Sequence, residues 1–436
     1  MIINFEIENF ASYKEKTSLS MVATRERDPL NHLSSVTGFN GRLLPTTAIY
    51  GYNACGKTNL LSALLFLQLL VIRGITDPNK LNLQPFAFVD NQYSKPTKFS
   101  IQFLSNESVY LYEIEMQFEK ILIERLTKIY KTQKHIIFER TEGTLSKLAS
   151  SFTKEDVARL SFAMQGTAPI QTFLNNCKSQ QINFFDDAYD WFNSKLVIVN
   201  SNSNFALAPL KDYPLDEFND LLIKLDVTNG KYLRVKIDSN ALPYNTQYIE
   251  MLDKTLNEGH SISLSPLSSN VGVSSSPIIV SKVNGELEFS KVIIRHSFGD
   301  GKDADMDLST ESEGTRRLYE LRPVLIDLMK KTSDYVFVID EFDRSLHPML
   351  VRHFIELFND SCKSENRVQL IFSCHDISLL DQKLMRRDSY WITSKDNQGA
   401  SSLFRITDLE QGKRTDKVIR NAYMAGELGV KPSFLK

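Results

Sequence analysis

The residues Gly51-Tyr52-Asn53-Ala54-Cys55-Gly56-Lys57-Thr58 carry the clearest chemical signal in the chain. They fit the pattern G-x-x-x-x-G-K-[ST], whose chemistry is phosphate capture. The glycines let the backbone wrap closely around phosphate oxygens, and the N–H groups at the start of the following helix face them. Lys57 is placed to reach the β and γ phosphates, and Thr58 to hold Mg²⁺. Asn53, Ala54, Cys55 and the adjoining Asn59 are read as further phosphate-binding positions. Cys55 reads first as a small filler within the loop.

Hydrolysis also needs acids. Tyr335–Ile339 is an apolar run that ends in Asp340 and Glu341. An acid at a strand end can hold Mg²⁺ opposite Thr58, and that role falls to Asp340. Glu341 is then placed to orient or deprotonate the attacking water. Lys57 and Asp340 lie too far apart for a compact nucleotide kinase unless a large insertion separates them. Two further stretches flank the acids: Leu308-Ser-Thr-Glu-Ser312-Glu313-Gly314-Thr315 upstream, and Asp343-Arg-Ser-Leu-His-Pro348 then Ser373-Cys-His375-Asp376 downstream.

The elements that must position these residues follow from hydrophobic periodicity. Residues 1–8 alternate like a half-buried strand, and Thr46–Tyr50 is a short apolar strand ending at Gly51. The apolar run Leu60–Ile75, interrupted by Ser62, Gln68 and Arg73, predicts a buried helix too short to span a bilayer. Phe99–Phe103, Tyr110–Phe118, Ile121–Tyr130 and His135–Arg140 alternate with period two and predict an antiparallel β-region. From about 150 to 260 the spacing turns helical, with helices expected at Asp156–Met164, Asn183–Asn193, Leu215–Leu225 and Tyr248–Leu256. The serine-rich stretch Ser261–Pro277 reads as a loop. Strands are expected again at Val292–Ser297, Tyr335–Ile339, Gln369–Ser373 and Tyr390–Thr393, with helices starting near Ser312, Pro348 and Ile377. Alternating strands and helices imply a parallel sheet covered on both faces.

Composition narrows the class. The chain has 436 residues, 51 Lys+Arg against 53 Asp+Glu, and a formal charge of −2. That balance excludes a globally basic nucleic-acid binder and leaves only a local patch open. The pairs Arg316-Arg317 and Arg386-Arg387 read as solvated faces, so no nucleic-acid site is assigned. Four cysteines without metal spacing indicate neither a disulfide framework nor zinc, and fit a cytoplasmic protein. Glu6 and Glu8 in the opening segment argue against a signal peptide, and no membrane partner is expected. Asp303-x-Asp305-x-Asp307 lacks the glycine and glutamate of a calcium loop and reads as a solvated turn.

The ordered set Gly-x-Asn-x-x-Gly-Lys-Thr, Ser-Glu-Gly-Thr, strand-Asp-Glu, Leu-His-Pro and strand-His resembles the heads of ABC-type ATPases. It is most similar to the AAA-type ATPases of the RloA and AbiL abortive-infection group, which are related to OLD-family and SMC-like heads. Glu8-Asn-Phe-Ala-Ser-Tyr13 and Arg386-Arg-Asp-Ser-Tyr-Trp391 share in the resemblance. It implies an α/β fold, an ABC-type P-loop ATPase head with a mixed, largely parallel core sheet, an antiparallel β-region and a mainly helical insertion. Residues 1–150 would form the N-terminal lobe, 151–285 the insertion and 286–436 the C-terminal lobe.

The resemblance further implies an ATP- and Mg²⁺-dependent ATPase working as an ATP-sandwich homodimer. Ser312, Glu313, Gly314 and Thr315 of one copy would meet the nucleotide held by Lys57 of the other. His375 would contact the γ-phosphate and water, Ser12 would contribute beside the phosphate loop, and Gln84 is the nearest candidate for a magnesium-sensing glutamine. Ala54 stands where SMC-like loops carry glycine, which is tolerable if that residue keeps φ negative. Ala11 stands where the family carries Arg or Lys. The implied context is anti-phage defence with a separately encoded effector, such as a TOPRIM-type nuclease. The alternative is an SMC-like clamp closing on DNA.

Overall fold

The computed structural model describes the chain apart from residues 26–32, 36–38, 90–93, 132, 201–214, 225–226, 228–229, 239–245, 257, 259–260, 265–277, 299–300, 329–333, 362–366, 410–417 and 429–436. The chain divides into two compact units. One comprises Met1–Ser201, Thr332–Asp343 and Pro348–Lys436; the other comprises Asn202–Lys331 and Arg344–His347.

The first unit opens with β1 (Ile2–Glu8), β2 (Thr17–Ser20), the short pair β3 (Ser34–Ser35) and β4 (Arg42–Leu43), and β5 (Thr46–Tyr50). Helix α1 (Lys57–Arg73) follows, then β6 (Thr97–Ser105), β7 (Ser108–Gln117), β8 (Lys120–Tyr130), β9 (Gln133–Thr141) and β10 (Thr144–Leu148). Helices α2 (Lys154–Gln165), α3 (Phe173–Ser179) and α4 (Asp186–Asp190) lead through a π turn at Trp191–Lys195 into β11 (Leu196–Val199). The second unit contains α5 (Leu215–Lys224), β12 (Gly230–Lys236), α6 (Thr246–Thr255), β13 (Ser261–Leu264), β14 (Ile278–Val283), β15 (Glu286–Phe298), β16 (Lys302–Asp307) and α7 (Glu313–Leu328). The chain then returns to the first unit with β17 (Val336–Ile339), α8 (Pro348–Ser361), β18 (Gln369–Ser373), β19 (Tyr390–Lys395), β20 (Ser401–Arg405) and α9 (Ile419–Met424).

Two sheets build the first unit. The antiparallel one runs β10-β9-β8-β7-β6-β1-β2, as the period-two alternation requires. The other runs β11-β17-β18-β5-β19-β20 and is parallel except at its last pair. β5, β11, β17 and β18 are buried at every residue, which is why they read as continuous apolar runs. Apolar side chains of the antiparallel sheet, of α1 and of the parallel sheet share one core.

The compact units cut the chain after residues 201 and 331, whereas the lobe boundaries expected from motif order were 150 and 285. Strand pairing is the reason. Leu196–Val199 lies in a stretch expected to be helical, yet it pairs parallel with β17 in register and completes the core sheet. The segment 151–285 is helical over most of its regular residues, and it also supplies β11 to β14. In the second unit the strand path is β12-β15-β14-β13, with β16 on β15 and α6 packing on the apolar face of β13 to β15. Of the serine-rich stretch, Ser261–Leu264 is strand β13; 265–277 lies outside the described residues. Asp303 to Asp307 form part of edge strand β16, not a turn, and Asp305 meets the Arg295 guanidinium at 2.7 and 2.9 Å. Near Ile377 only one 3-10 turn forms, and Tyr390 takes up the N–H of Asp381 just beyond it.

Two polar side chains hold α1, the helix that follows the glycine-rich loop, in place. Gln68, which interrupts the apolar run, donates to the carbonyls of Phe192 (2.8 Å) and Leu196 (2.7 Å), tying α1 to the π turn and β11. At the other end, Gly74 closes the helix in the left-handed region, and Asn175 Nδ2 donates to the orphan carbonyls of Val71 (2.9 Å) and Ile72 (3.3 Å). Asn175 is itself held by Gln171 at 3.0 Å. Asn175→Ala is expected to cost about 1–3 kcal/mol, the penalty for stranding buried partners, measurable by urea denaturation. A loss under about 0.5 kcal/mol would refute this capping role.

Behind α3, Glu124 and Arg140 form a fully buried ion pair. The Glu124 carboxylate accepts the N–H groups of Phe173 (2.7 Å) and Leu174 (3.1 Å) at the helix start and the Tyr112 hydroxyl (2.9 Å). Such a charge is tolerable inside because nearly every lone pair finds a donor.

Candidate functional site

β5 ends between β18 and β19, and the chain turns from Tyr50 through Gly51–Gly56 into α1. Gly56 takes φ +111°, and a Cβ there would lie 2.5 Å from Ser401 Oγ and 3.0 Å from Ser12 Oγ, so only glycine fits. Ala54 has φ +62°. The expected negative φ is therefore wrong: the loop demands the left-handed region, at a cost of roughly 1–2 kcal/mol for a residue bearing Cβ.

Lys57 is only 6% exposed, and its ammonium donates to the carbonyls of Gly51 (2.7 Å) and Tyr52 (3.2 Å). Burial lowers its pKa, opposed by Cys55 and by the negative field of Asp340, Glu341 and Asp343. These three carboxyl groups therefore share the neighbourhood of the loop lysine. Cys55 is buried, with its sulfur 2.7 Å from Thr393 Oγ1, whose hydroxyl donates to Tyr50 O at 3.1 Å. The thiol thus acts as packing beneath the loop.

Ser12 lies beside the loop. Its hydroxyl accepts from Asn59 Nδ2 (2.8 Å) and from Ser401 Oγ (2.7 Å), and its carbonyl accepts the Ser401 N–H (2.7 Å). The neighbouring Tyr13 donates to Gly56 O at 3.1 Å. Thr393 and Ser401 escaped the sequence reading because an isolated hydroxyl carries no pattern. Gln84 reaches this corner through its backbone, its carbonyl accepting the Ala11 N–H at 2.6 Å, while its side-chain amide turns to Asn82. We therefore leave Gln84 out of the proposed metal set.

The acids stand at the carboxyl end of β17, beside β18. Asp340 is buried; its Oδ1 accepts from Ser373 Oγ at 2.6 Å, and its N–H donates to Val199 O at 2.9 Å. Glu341 follows with φ +50° and donates its N–H to Ser373 Oγ at 2.8 Å. Its carboxylate lies 4.0 Å from His375 Nε2, with the two side chains 33% and 41% exposed. Asp343 accepts the N–H groups of His375 (2.9 Å) and Asp376 (2.8 Å). Lys57, Asp340, Glu341 and His375 thus converge at the carboxyl ends of β5, β17 and β18, where ligands bind in open α/β sheets.

In the second unit, Ser312 caps the 16-residue helix α7. Its hydroxyl accepts the Thr315 N–H (3.2 Å) and pairs with Thr315 Oγ1 (2.8 Å), while its carbonyl accepts the Arg316 N–H. A Cβ on Gly314 would lie 2.8 Å from the carbonyl oxygen of Ser345, which explains glycine at this position. Ser312 and Glu313 are exposed, so the positive end of a long helix faces solvent. Tyr232 fixes the same turn by donating to Thr315 O at 3.0 Å.

The arginine pairs are not the solvated faces expected. Arg317 is buried against Glu320 at 2.8 Å. Arg386 and Arg387 are buried as well, Arg386 on Asp388 at 2.9 Å and Arg387 on Gln382 at 2.8 Å. Among the described residues no cluster of His, Cys, Asp and Glu forms a metal-binding group, and no helix is long and apolar enough to cross a membrane.

Residues 46–381, spanning both the glycine-rich loop and His375, match the protein family described as "AAA domain, putative AbiEii toxin, Type IV TA system". The chain belongs to this family. The match makes it an AAA-type ATPase domain, without distinguishing the RloA and AbiL group within that class. Solved structures similar to this AAA-family chain include an SMC head bound to the C-terminal winged-helix domain of ScpA, at 14% identity and TM-score 0.43, covering 92% of this chain and 97% of that one. Another is the SMC head domain from Thermotoga maritima, at 13% identity and TM-score 0.36, covering 93% and 98%. No curated protein matches the sequence.

Proposed function

We propose that this AAA-family chain is an ATP-hydrolysing switch that closes as a homodimer on ATP and opens on hydrolysis, controlling a separately encoded effector in anti-phage defence. The observation that carries the reading is the convergence of Lys57, Asp340, Glu341 and His375 at the strand ends beside the phosphate loop. Lys57 and the loop N–H groups bind the phosphates of ATP, and Glu341 accepts the proton of the attacking water. His375 holds that water and the γ-phosphate in line. Thr58 and Asp340 would hold Mg²⁺, which neutralises phosphate charge when bound. The buried, hydrogen-bonded Asp340 carboxylate suits that ion.

An exposed helix N-terminus with an oriented serine hydroxyl is a phosphate site in waiting. In the proposed dimer Ser312, Glu313, Gly314 and Thr315 serve the nucleotide of the second copy. The family's toxin–antitoxin description supports a defence role. The alternative, an SMC-like clamp closing on DNA, uses the same ATPase site and differs in what the closed dimer holds.

The test is complementation between two inactive variants, Lys57→Ala and Ser312→Arg. Mixed in equal amounts, they should recover about a quarter of the wild-type ATPase rate, since half the dimers would be mixed and carry one intact site of two. No recovery despite subunit exchange would overturn the in-trans arrangement. A steep fall of duplex-DNA affinity with added salt would move the reading to the clamp.

A further inference from the structure

We infer that Ser373 is a positioning residue that sets both acids of the hydrolytic site, working through them without touching nucleotide; this rests on the ATPase reading above. Ser373 is the last residue of β18, fully buried, and none of its polar atoms faces solvent. It makes three bonds to consecutive residues of the neighbouring strand end. The hydroxyl donates to Asp340 Oδ1 at 2.6 Å and accepts the Glu341 N–H at 2.8 Å, and the carbonyl accepts the Phe342 N–H at 3.0 Å.

The arrangement answers a local difficulty. Glu341 sits at φ +50°, a conformation that costs a residue with a side chain and persists only where its surroundings hold it. Ser373 clamps the peptide on either side of that residue, and the left-handed turn is what swings the Glu341 carboxylate out toward His375. The same hydroxyl spends its one proton on Asp340 Oδ1, which fixes the orientation of that carboxylate. A reciprocal arm runs the other way: Asp343 accepts the N–H groups of His375 and Asp376. The ends of β17 and β18 are thus cross-braced, and the 4.0 Å between Glu341 and His375 is the product of that brace. The parallel register, Ile339 beside Phe372, is what brings Ser373 level with the acids.

Ser373→Ala removes the hydroxyl without adding bulk. The expected result is a fall in kcat of at least about tenfold, ATP affinity within about threefold of wild type, and a raised Mg²⁺ requirement for half-maximal rate. Ser373→Thr, which keeps the hydroxyl, should recover most of the rate. A merely structural residue would instead lower melting temperature, kcat and ATP affinity together. An Ala variant that melts like the wild type and turns over at the wild-type rate would overturn the inference, as would a folded Thr variant no faster than Ala. Wild-type protein tested alongside Lys57→Ala separates the two levels. If neither hydrolyses ATP the ATPase reading fails, whereas Lys57-dependent turnover indifferent to Ser373 removes only the brace.

Discussion

Glu341→Gln is expected to slow ATP hydrolysis about 10²–10⁴-fold while leaving ATP bound, the range for removing a positioned general base. The glutamine side chain has nearly the shape of glutamate and can still align a water, but it cannot take a proton. The backbone that aims it is held by Ser373, not by the carboxylate, so the turn should survive the change. Removing one negative charge beside Asp340 and Asp343 also reduces repulsion of the phosphates, so affinity should hold or rise. Binding without turnover traps the closed state, and the variant should accumulate as an ATP-bound dimer. Single-turnover kinetics and sedimentation with ATP and Mg²⁺ measure both halves; a monomer with full turnover would sink the assignment.

Lys57→Ala is expected to weaken ATP binding by at least about 100-fold, the scale of one charge-assisted phosphate contact made in a dry site. The ammonium is pre-positioned, bonded to two carbonyls of the loop it serves, so little ordering is needed when phosphate replaces them. It is also the cation among three carboxyl groups. Without it Asp340, Glu341 and Asp343 would face the phosphates directly, adding repulsion to the lost attraction. Titration with a fluorescent ATP analogue reads the effect, and unchanged affinity would overturn the phosphate-loop assignment. Because α1 keeps its Gln68 and Asn175 anchors, the fold should be unaffected.

Several elements were legible in advance because their signals are local. Thr46–Tyr50 and Gln369–Ser373 were expected with the bounds observed, each a short apolar run closed by a polar residue or glycine. α1 and α8 begin where a glycine-lysine step and a proline place helix starts. Leu196–Val199 was missed for the opposite reason. A four-residue apolar run fits helix and strand equally, and its partner β17 lies far along the chain. The burial of Arg386 and Arg387 was equally invisible, since it depends on acids and amides folded around them.

The strand–loop–helix around Gly51–Thr58 could be read from sequence alone because its pattern is contiguous: glycines for the backbone path, a lysine and a threonine at fixed steps, all within one turn between a strand and a helix. Asp340, Glu341 and His375 could be nominated in the same way, as polar residues ending apolar strands. What the tertiary structure alone decided is how those groups are held. Ala54 in the left-handed region, Ser373 across Asp340 and Glu341, Tyr13 and Ser401 around Gly56 all depend on partners distant in sequence. Parallel strands can pair only after long crossovers, so the residues that orient such a site are set by sheet register, which no local pattern records.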